Sequence, residues 1–344
     1  MRCTCHIIPE DVLRRWAEDP SLPEVIRIAL RNTADIDVQF RALRDQAAKL
    51  AQVSELMSIA KKPIPVGPPH VGVYNSNHTQ VLPGLPILNP GTSTDVTAKH
   101  VFDETTSVAK FYQQVFGRNS VDNAGMALLS SIHYGVKYNN AFWNGSQMTY
   151  GDGDASIFID FSKGNDVIGH ELTHGVTQHS LQLTYVGDAG GLNESISDCF
   201  GSMFRQWEAS QTSAQADWLI GKDIMGPAAL AKGLTCLRDM ANPAAAHCLA
   251  AQPTQYSQIT PGMDPHYSSG PPNLAFATAC KAAGGHSWDT VGQVWYKSLT
   301  GFGPTPNMTM KAFADRTRQV AAQLFPAQPI VGASVDAGWK HVGL

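Results

Sequence analysis

Residues 166–179 read DVIGHELTHGVTQH, with His170, Glu171, His174 and His179 inside ten positions. His170 and His174 are four apart, which on a helix is about one turn, so both imidazoles share one face. Val167, Ile168 and Leu172 supply the apolar sides of that helix, and Asn165 or Asp166 can cap its start. His179 falls elsewhere around the helix and is no natural partner for the pair. Two histidines one turn apart, with Glu171 directly after the first, form the H-E-x-x-H pattern. The imidazoles suit a zinc ion, and the carboxylate is placed to take a proton from water.

The pattern alone is common, and a catalytic zinc usually takes a third protein ligand. Twenty residues beyond His174, within GGLNESISDCFGSMF (190–204), stands Glu194 on the next predicted helix. Asp198 lies one turn further and shares its face. Glu194 is the candidate third ligand, and Asp198 can accept the remaining ring proton of a ligand histidine, with His170 as the first choice. Solvated surface carboxylates are the bland alternative. The coincidence of both patterns favours a metal site, because an acidic helix face buried beside two histidines is costly without a cation.

The chain has 344 residues, 43% hydrophobic and 16% charged, with a net charge of -4. That is ample for two domains and a small additional segment. No basic excess exists to neutralise phosphates, so nucleic-acid binding is not expected. No apolar run approaches the ~20 residues that span a bilayer, so no membrane segment is expected either. The start, MRCTCHIIPEDVLRRWAED, lacks the apolar core of a secretory signal, leaving a non-classical export route or the cytoplasm. Six cysteines show no C-x-x-C pairing, and free thiols are expected. Cys3 and Cys5, beside His6, raise one sharper idea: a thiolate that caps the metal.

Residues 9–61 carry apolar positions at helical spacing, with Asp35 or Asp37 as the cap of a third helix. Pro63, Pro65, Gly67, Pro68 and Pro69 then mark a joint. Between about 70 and 162 the texture is strand-like, in GMALLSSIHYGVKY (125–138) and ASIFIDF (155–161), with one helix at 95–117. Helices are expected at 166–179, 192–209, 272–283, 287–300 and 308–324. The organisation is a helical unit and linker (1–66), a strand-rich lobe that includes the metal helix (67–180) and a mainly helical lobe (181–344).

HELTH (170–174), NESISD (193–198) and NNAFWNGSQMTYGDGD (139–154) together resemble the thermolysin-like neutral metalloproteases, peptidase family M4. The segment HIIPEDVLRRWA (6–17) is similar to the short propeptides of that family's protealysin-like branch. The resemblance implies an α+β, two-lobe zincin fold preceded by a helical propeptide that inhibits the enzyme until cut, between about 46 and 70. It implies one catalytic zinc held by His170, His174 and Glu194, with Glu171 as general base. Tyr185 and His266 would stabilise the oxyanion. Pro261 stands where the family has the carboxylate that orients this histidine, and Asp264 is the substitute at hand.

By the same resemblance, Asn140 and the carbonyl of Ala141 lie on an edge strand that pairs with substrate, and Arg238 binds the carbonyl beyond the scissile bond. Phe158, Phe161, Val167, Ile220, Ile224 and Leu237 would line an apolar pocket for the residue after that bond. Cleavage on the amino side of Leu, Phe, Ile or Val follows. The family's paired calcium site keeps Asp166 and Asp217, but its other positions are Arg205, Leu219 and Lys222, which cannot supply the six to eight oxygens calcium takes. No calcium is expected there. The reading is a monomeric, secreted or cytoplasmic endopeptidase acting on peptides and proteins. Its rivals are a zinc aminopeptidase and an inactive zinc-binding protein.

Overall fold

The computed structural model describes residues 5–54 and 67–344, with the side chains of 41–54 outside that description. The chain opens with strand β1 (Cys5–His6), followed by helices α1 (Glu10–Ala17) and α2 (Glu24–Ser54). On α1, Val12, Leu13, Trp16 and Ala17 are buried while Glu10 and Arg14 pair on the outer face at 2.8 Å. The sequence suggested a break at Asp35 or Asp37, yet α2 runs straight through both. No Pro or Gly interrupts that stretch, so nothing forces an end to the helix. Asp37 is a buried acceptor instead of a cap, bonded by the Tyr138 hydroxyl and by Asn140 at 2.8 Å. Most of the expected joint at 63–69 lies outside the described residues.

The strand-rich part contains β2 (Val71–Asn75), β3 (Leu85–Pro86), α3 (Val96–Phe116), β4 (Leu128–Ile132), β5 (Ala141–Trp143) and β6 (Met148–Tyr150). Asp95 caps α3 by accepting from the Ala98 N–H at 3.2 Å. The six strands order as β1-β5-β6-β4-β2-β3. The N-terminal strand therefore completes the sheet at its β5 edge, antiparallel, with His6 opposite Phe142. ASIFIDF is not a strand. Asp154 accepts from the Ser156 and Ile157 N–H groups, both at 2.7 Å, which curls the backbone, and only Phe158 keeps a single bridge, to Met225.

The rest is mainly helical: α4 (Asn165–Gln178), α5 (Gly187–Glu208), the short pair β7 (Leu219–Ile220) and β8 (Arg238–Asp239) with α6 (Pro227–Ala231) between them, then α7 (Pro265–Ser268), α8 (Gly270–Ala283), α9 (Val291–Thr300), α10 (Met310–Leu324) and α11 (Pro329–His341). Helix α5 starts five residues earlier than its apolar pattern suggested, because Gly187–Gly191 is helical despite its three glycines. Helix α11 was not anticipated. Pro326 precedes it and Pro329 is its first residue, but Val331, Val335 and Trp339 recur every fourth residue and are buried, and the Trp339 ring stacks on Trp295 at 5.8 Å. No helix among the described residues is long and apolar enough to cross a membrane.

Candidate active site

The site forms where α4 and α5 approach closely. A Cβ on Gly201 would sit 2.5 Å from the Asp166 carbonyl oxygen, and one on Gly169 would sit 3.1 Å from the Cα of Gly201. Side chains at either position would push the helices apart. With both glycines in place, Glu194 and Asp198 face His170 and His174, and all four are essentially sealed from solvent. The N-cap of α4 is Gly164, with no side-chain cap. Asp166 is committed elsewhere, accepting from the Gly221 N–H at 2.7 Å.

Nδ1 of His170 faces Asp198 Oδ1 at 2.9 Å. Nδ1 of His174 faces Asn193 Oδ1 at 2.9 Å and the Ser197 hydroxyl at 3.0 Å. Acceptor oxygens at both Nδ1 atoms place the ring protons there, so both Nε2 atoms present lone pairs. Those two Nε2 atoms are 3.0 Å apart, and each lies 3.5 Å from a Glu194 oxygen. Three lone-pair donors converge in a buried space, and Glu194 Oε2 has no hydrogen-bond partner. Such an arrangement is repulsive without a cation and fits a tetrahedral metal bound through two imidazoles and a carboxylate. Burial, aided by the neighbouring His170 and His266, lowers the His174 pKa to about 3, so the ring is neutral and free to ligate.

Asp198 is the centre of a buried network. It receives Arg238 through Nε at 2.8 Å and Nη2 at 2.7 Å, and Asn273 at 2.8 Å. Burial opposes its ionisation, but Arg238 and His170 overrule it and hold the carboxyl well below its usual range. Glu171 is fully buried beside the cluster. Burial and the charge of Glu194 push its carboxyl well above the ordinary carboxylate range, which raises its appetite for a proton.

Tyr185 donates to Glu194 Oε1 at 2.5 Å and lies 3.3 Å from His266 Nε2. Nδ1 of His266 is held by Asp264 Oδ1 at 2.7 Å, and its backbone N–H bonds the same oxygen at 2.9 Å. Asp264 caps the first turn of α7, so a carboxylate only two residues away still reaches the ring. Burial works against charge on His266, but Glu194 and Asp264 prevail and raise its pKa to about 9.

The N-terminal segment runs through this cleft. The His6 carbonyl accepts from His266 Nε2. Ile7 donates its N–H to the Ala141 carbonyl at 3.0 Å, and its own carbonyl accepts from Arg238 Nη1 at 3.1 Å. Asn140 brackets Ile8, accepting from its N–H at 2.9 Å and donating to its carbonyl at 3.0 Å. The six residues read as an apolar pocket are all buried in the same continuous core as Ile7.

Sequence reasoning missed Asn193, Ser197, Asn273 and Asp37. The first two lie inside NESISD, and their spacing from Glu194 could have flagged them. Asn273 and Asp37 carry no local signal. The expectation of free thiols holds for Cys199, Cys236, Cys248 and Cys280 but fails at Cys5, which is disulfide-bonded. Its sulfur lies within 4.8 Å of ligand atoms of His174 and Glu194. A disulfide sulfur is not the thiolate that binds metals. Cys3 lies outside the described residues.

The model of the thermolysin metallopeptidase catalytic domain matches residues 88–178, and that of the thermolysin metallopeptidase alpha-helical domain matches 181–344. The chain belongs to the thermolysin metallopeptidase family. It is 36% identical over 292 residues to an extracellular metalloprotease of Pectobacterium carotovorum subsp. carotovorum, covering 82% of this chain and 83% of that one. It is 34% identical over 290 residues to Protease PrtS of Photorhabdus sp. (strain Az29), covering 80% and 76%. The structure resembles the precursor of protealysin, a metalloproteinase from Serratia proteamaculans, with a TM-score of 0.80 and 34% identity over 98% of this chain and 99% of that chain. This member of the thermolysin family, of its protealysin-like branch, is a metalloendopeptidase, and its fold is the family's α+β arrangement of a strand-rich and a helical part. Family membership implies zinc as the metal.

Arg205 lies 3.6 Å from Asp166, 3.7 Å from Asp217 and 3.0 Å from Asp223, and Lys222 pairs with Asp217.

Proposed function

We propose that this chain is a zinc endopeptidase that cuts on the amino side of bulky apolar residues and is held latent by its own N-terminal segment. The observation that carries this reading is the course of residues 5–8. Their main chain engages Ala141, Asn140, Arg238 and His266, the groups expected to hold a peptide substrate, with Ile7 at the place of the residue after the scissile bond. This is strand addition, which reads backbone and leaves specificity to the pocket.

His170, His174 and Glu194 would hold a zinc ion, which would supply Lewis-acid polarisation of the scissile carbonyl and of the attacking water. Glu171 accepts the proton from that water and returns it to the leaving amine. Tyr185 donates its hydroxyl proton, and cationic His266 its Nε2 proton, to the oxygen where negative charge develops. Asp264 fixes the His266 ring, and Asp198, clamped by Arg238, fixes that of His170. The Ala141 carbonyl accepts the N–H of the leaving amine. Phe158, Phe161, Val167, Ile220, Ile224 and Leu237 line the apolar pocket.

An endopeptidase is favoured over an aminopeptidase because the segment in the cleft continues on both sides of the scissile position, with Cys5 paired to Trp143. The reading further takes 1–66 as propeptide and linker, 67–180 and 181–344 as the two lobes, processing between about 46 and 70, action as a monomer, and no calcium at the paired site. The name of the Pectobacterium relative supports work outside the cell.

The test uses a terminally blocked peptide with one internal Leu. Wild-type protein with its propeptide removed should cut before the Leu and contain zinc. Glu171→Gln should keep the zinc and lose turnover. Turnover that survives Glu171→Gln, or activity in zinc-free protein, overturns the reading, and cleavage restricted to a free amino terminus makes it an aminopeptidase.

A further inference from the structure

The stretch flanking β8, from Cys236 to Cys248, holds a second group of metal-type ligands. Cys236 and Cys248 face each other across an isolated parallel bridge, backed by hydrogen bonds from Leu249 N to Cys236 O and from Thr235 N to His247 O, both 2.9 Å. Both cysteines are buried and are not bonded to each other. Their sulfurs are 3.8 Å apart. Those sulfurs and a ring nitrogen of His247 lie within 4.8 Å of one another. Nε2 of His247 is 3.2 Å from Asp239 Oδ2. The other Asp239 oxygen is fixed by the N–H groups of Ala241 and Asn242, each at 2.9 Å. A carboxylate on one ring nitrogen is how proteins orient a ligand histidine and set its tautomer.

The sulfur separation excludes a disulfide and matches two thiolates on one ion, as it also matches the thiol–thiol hydrogen bond that the two groups make. A disulfide requires ~2.05 Å, whereas two thiolates on one tetrahedral zinc, each at ~2.3 Å, stand about 3.8 Å apart. Two thiols and an imidazole suit zinc or another thiophilic divalent ion and reject calcium and magnesium. The His247 side chain is 39% exposed, which gives an ion and its water access from solvent.

We infer that Cys236, Cys248 and His247 form a second zinc site, with Asp239 orienting His247 and the fourth position open to water. Both thiols give up their protons when the ion binds. The ion closes the loop from 236 to 248. Cys236 lies two residues before Arg238, and Cys248 precedes Leu249, whose carbonyl receives Arg15 of the propeptide at 2.9 Å. The site thereby anchors the strand that presents Arg238 and Leu237 to the cleft.

The experiment uses the full chain carrying Glu171→Gln and Cys5→Ser, which removes self-cleavage and the sulfur near the first metal site. It is purified with reductant and zinc, dialysed, and its metal measured by mass spectrometry. Cys236→Ser/Cys248→Ser should contain one zinc per chain fewer than its parent, and His247→Ala, a partly exposed change that the fold tolerates, should release that ion at lower chelator concentration. Cobalt in place of zinc should give a sulfur-to-metal charge-transfer band that the double serine variant lacks. Equal metal content in parent and double variant, absence of that band, or a Cys236–Cys248 disulfide in the metal-replete protein overturns the inference. Because the readout is a difference at fixed first-site residues, it stands apart from whether the first site holds zinc.

Discussion

Nη1 of Arg238 donates to the Ile7 carbonyl at 3.1 Å, while the same guanidinium grips Asp198 through Nε and Nη2. One buried cation therefore joins the blocking segment to the residue that orients His170. Main-chain bonds to Ala141 and Asn140 fix the register of the segment, and Ile7, fully buried, supplies its apolar anchor. Burying an isoleucine is worth about 1.5–3 kcal/mol, roughly 10- to 150-fold in an inhibition constant. A synthetic peptide of residues 1–19 should inhibit the processed enzyme, and the Ile7→Asp peptide should be weaker by at least that factor. Equal inhibition by both would mean that the segment is held by α1 alone.

Asp198→Asn keeps the shape but removes the charge that stabilises both Arg238 and the His170 ring. Loss of such a partner typically costs 10–100-fold in metal affinity. A chelator titration of the full chain should show that loss, with the circular dichroism unchanged. Asp198→Ala should go further and destabilise by about 3–5 kcal/mol, because Arg238 is left as a buried, uncompensated charge. A variant that binds metal as tightly as the parent would remove Asp198 from its assigned role.

His133 sits between Asp152 at 2.7 Å and Asp95 at 3.1 Å, and Asp95 also caps α3. The hydrogen bond to Asp152, with help from Asp95 and against burial, raises its pKa to about 9. The folded pKa lies above the ordinary ~6.5, so the charged pairs stabilise in full below about pH 6.5, and the contribution fades as pH rises through about 9. Partial solvent screening limits it to about 1 kcal/mol. In a Glu171→Gln background, His133→Gln should unfold more easily than its parent at pH 6 and equally at pH 10. A deficit that does not shrink with pH would contradict this assignment.

The zinc helix and Glu194 were legible because ligand spacing is a local, periodic signal that survives in one dimension. The α4–α5 approach was not, because the roles of Gly169 and Gly201 appear only when two helices meet. Asp37 shows the limit most clearly. Its sequence context reads as a helix cap, yet it is a buried acceptor for Tyr138 and Asn140, a hundred residues away. Asp264 was named from the sequence as the partner of His266, and the contact forms at 2.7 Å through a helix start. Two residues apart is unhelpful along a strand but close across the first turn of a helix, and Asp264 followed by Pro265 is the local signal that such a turn starts there.

Cys5 lies beside His174 and Glu194, and its disulfide keeps it from acting as a thiolate. In the oxidised full chain, latency should rest on the main-chain contacts of residues 6–8, and Cys5→Ser should leave it unchanged. Reduction should convert the sulfur into an additional ligand and slow metal loss to a chelator in the Glu171→Gln chain, an effect that Cys5→Ser abolishes. Identical metal loss with and without reductant would show that the sulfur never reaches the ion.

Arg205 lies among three carboxylates, Asp166, Asp217 and Asp223, where the proposed reading expects no calcium. Burial raises the Asp166 pKa, and the Arg205 guanidinium is the largest influence opposing that rise, ahead of the Gly221 N–H. Leu219 adds only a carbonyl, at 3.4 Å from Arg205 Nη1. A calcium ion would have to displace a fixed cation and find 6–8 oxygens in its place. Added calcium should therefore leave the melting temperature of the parent unmoved, and after chelation zinc alone should restore activity. Arg205→Ala leaves buried Asp166 facing Asp217 and Asp223 with no guanidinium between them, which should destabilise by about 3–5 kcal/mol. Calcium should then recover part of that loss, since the vacated space offers carboxylate oxygens to a cation. A rise of several degrees in the parent with calcium, or no loss in Arg205→Ala, would show that the arginine does not stand in for the metal.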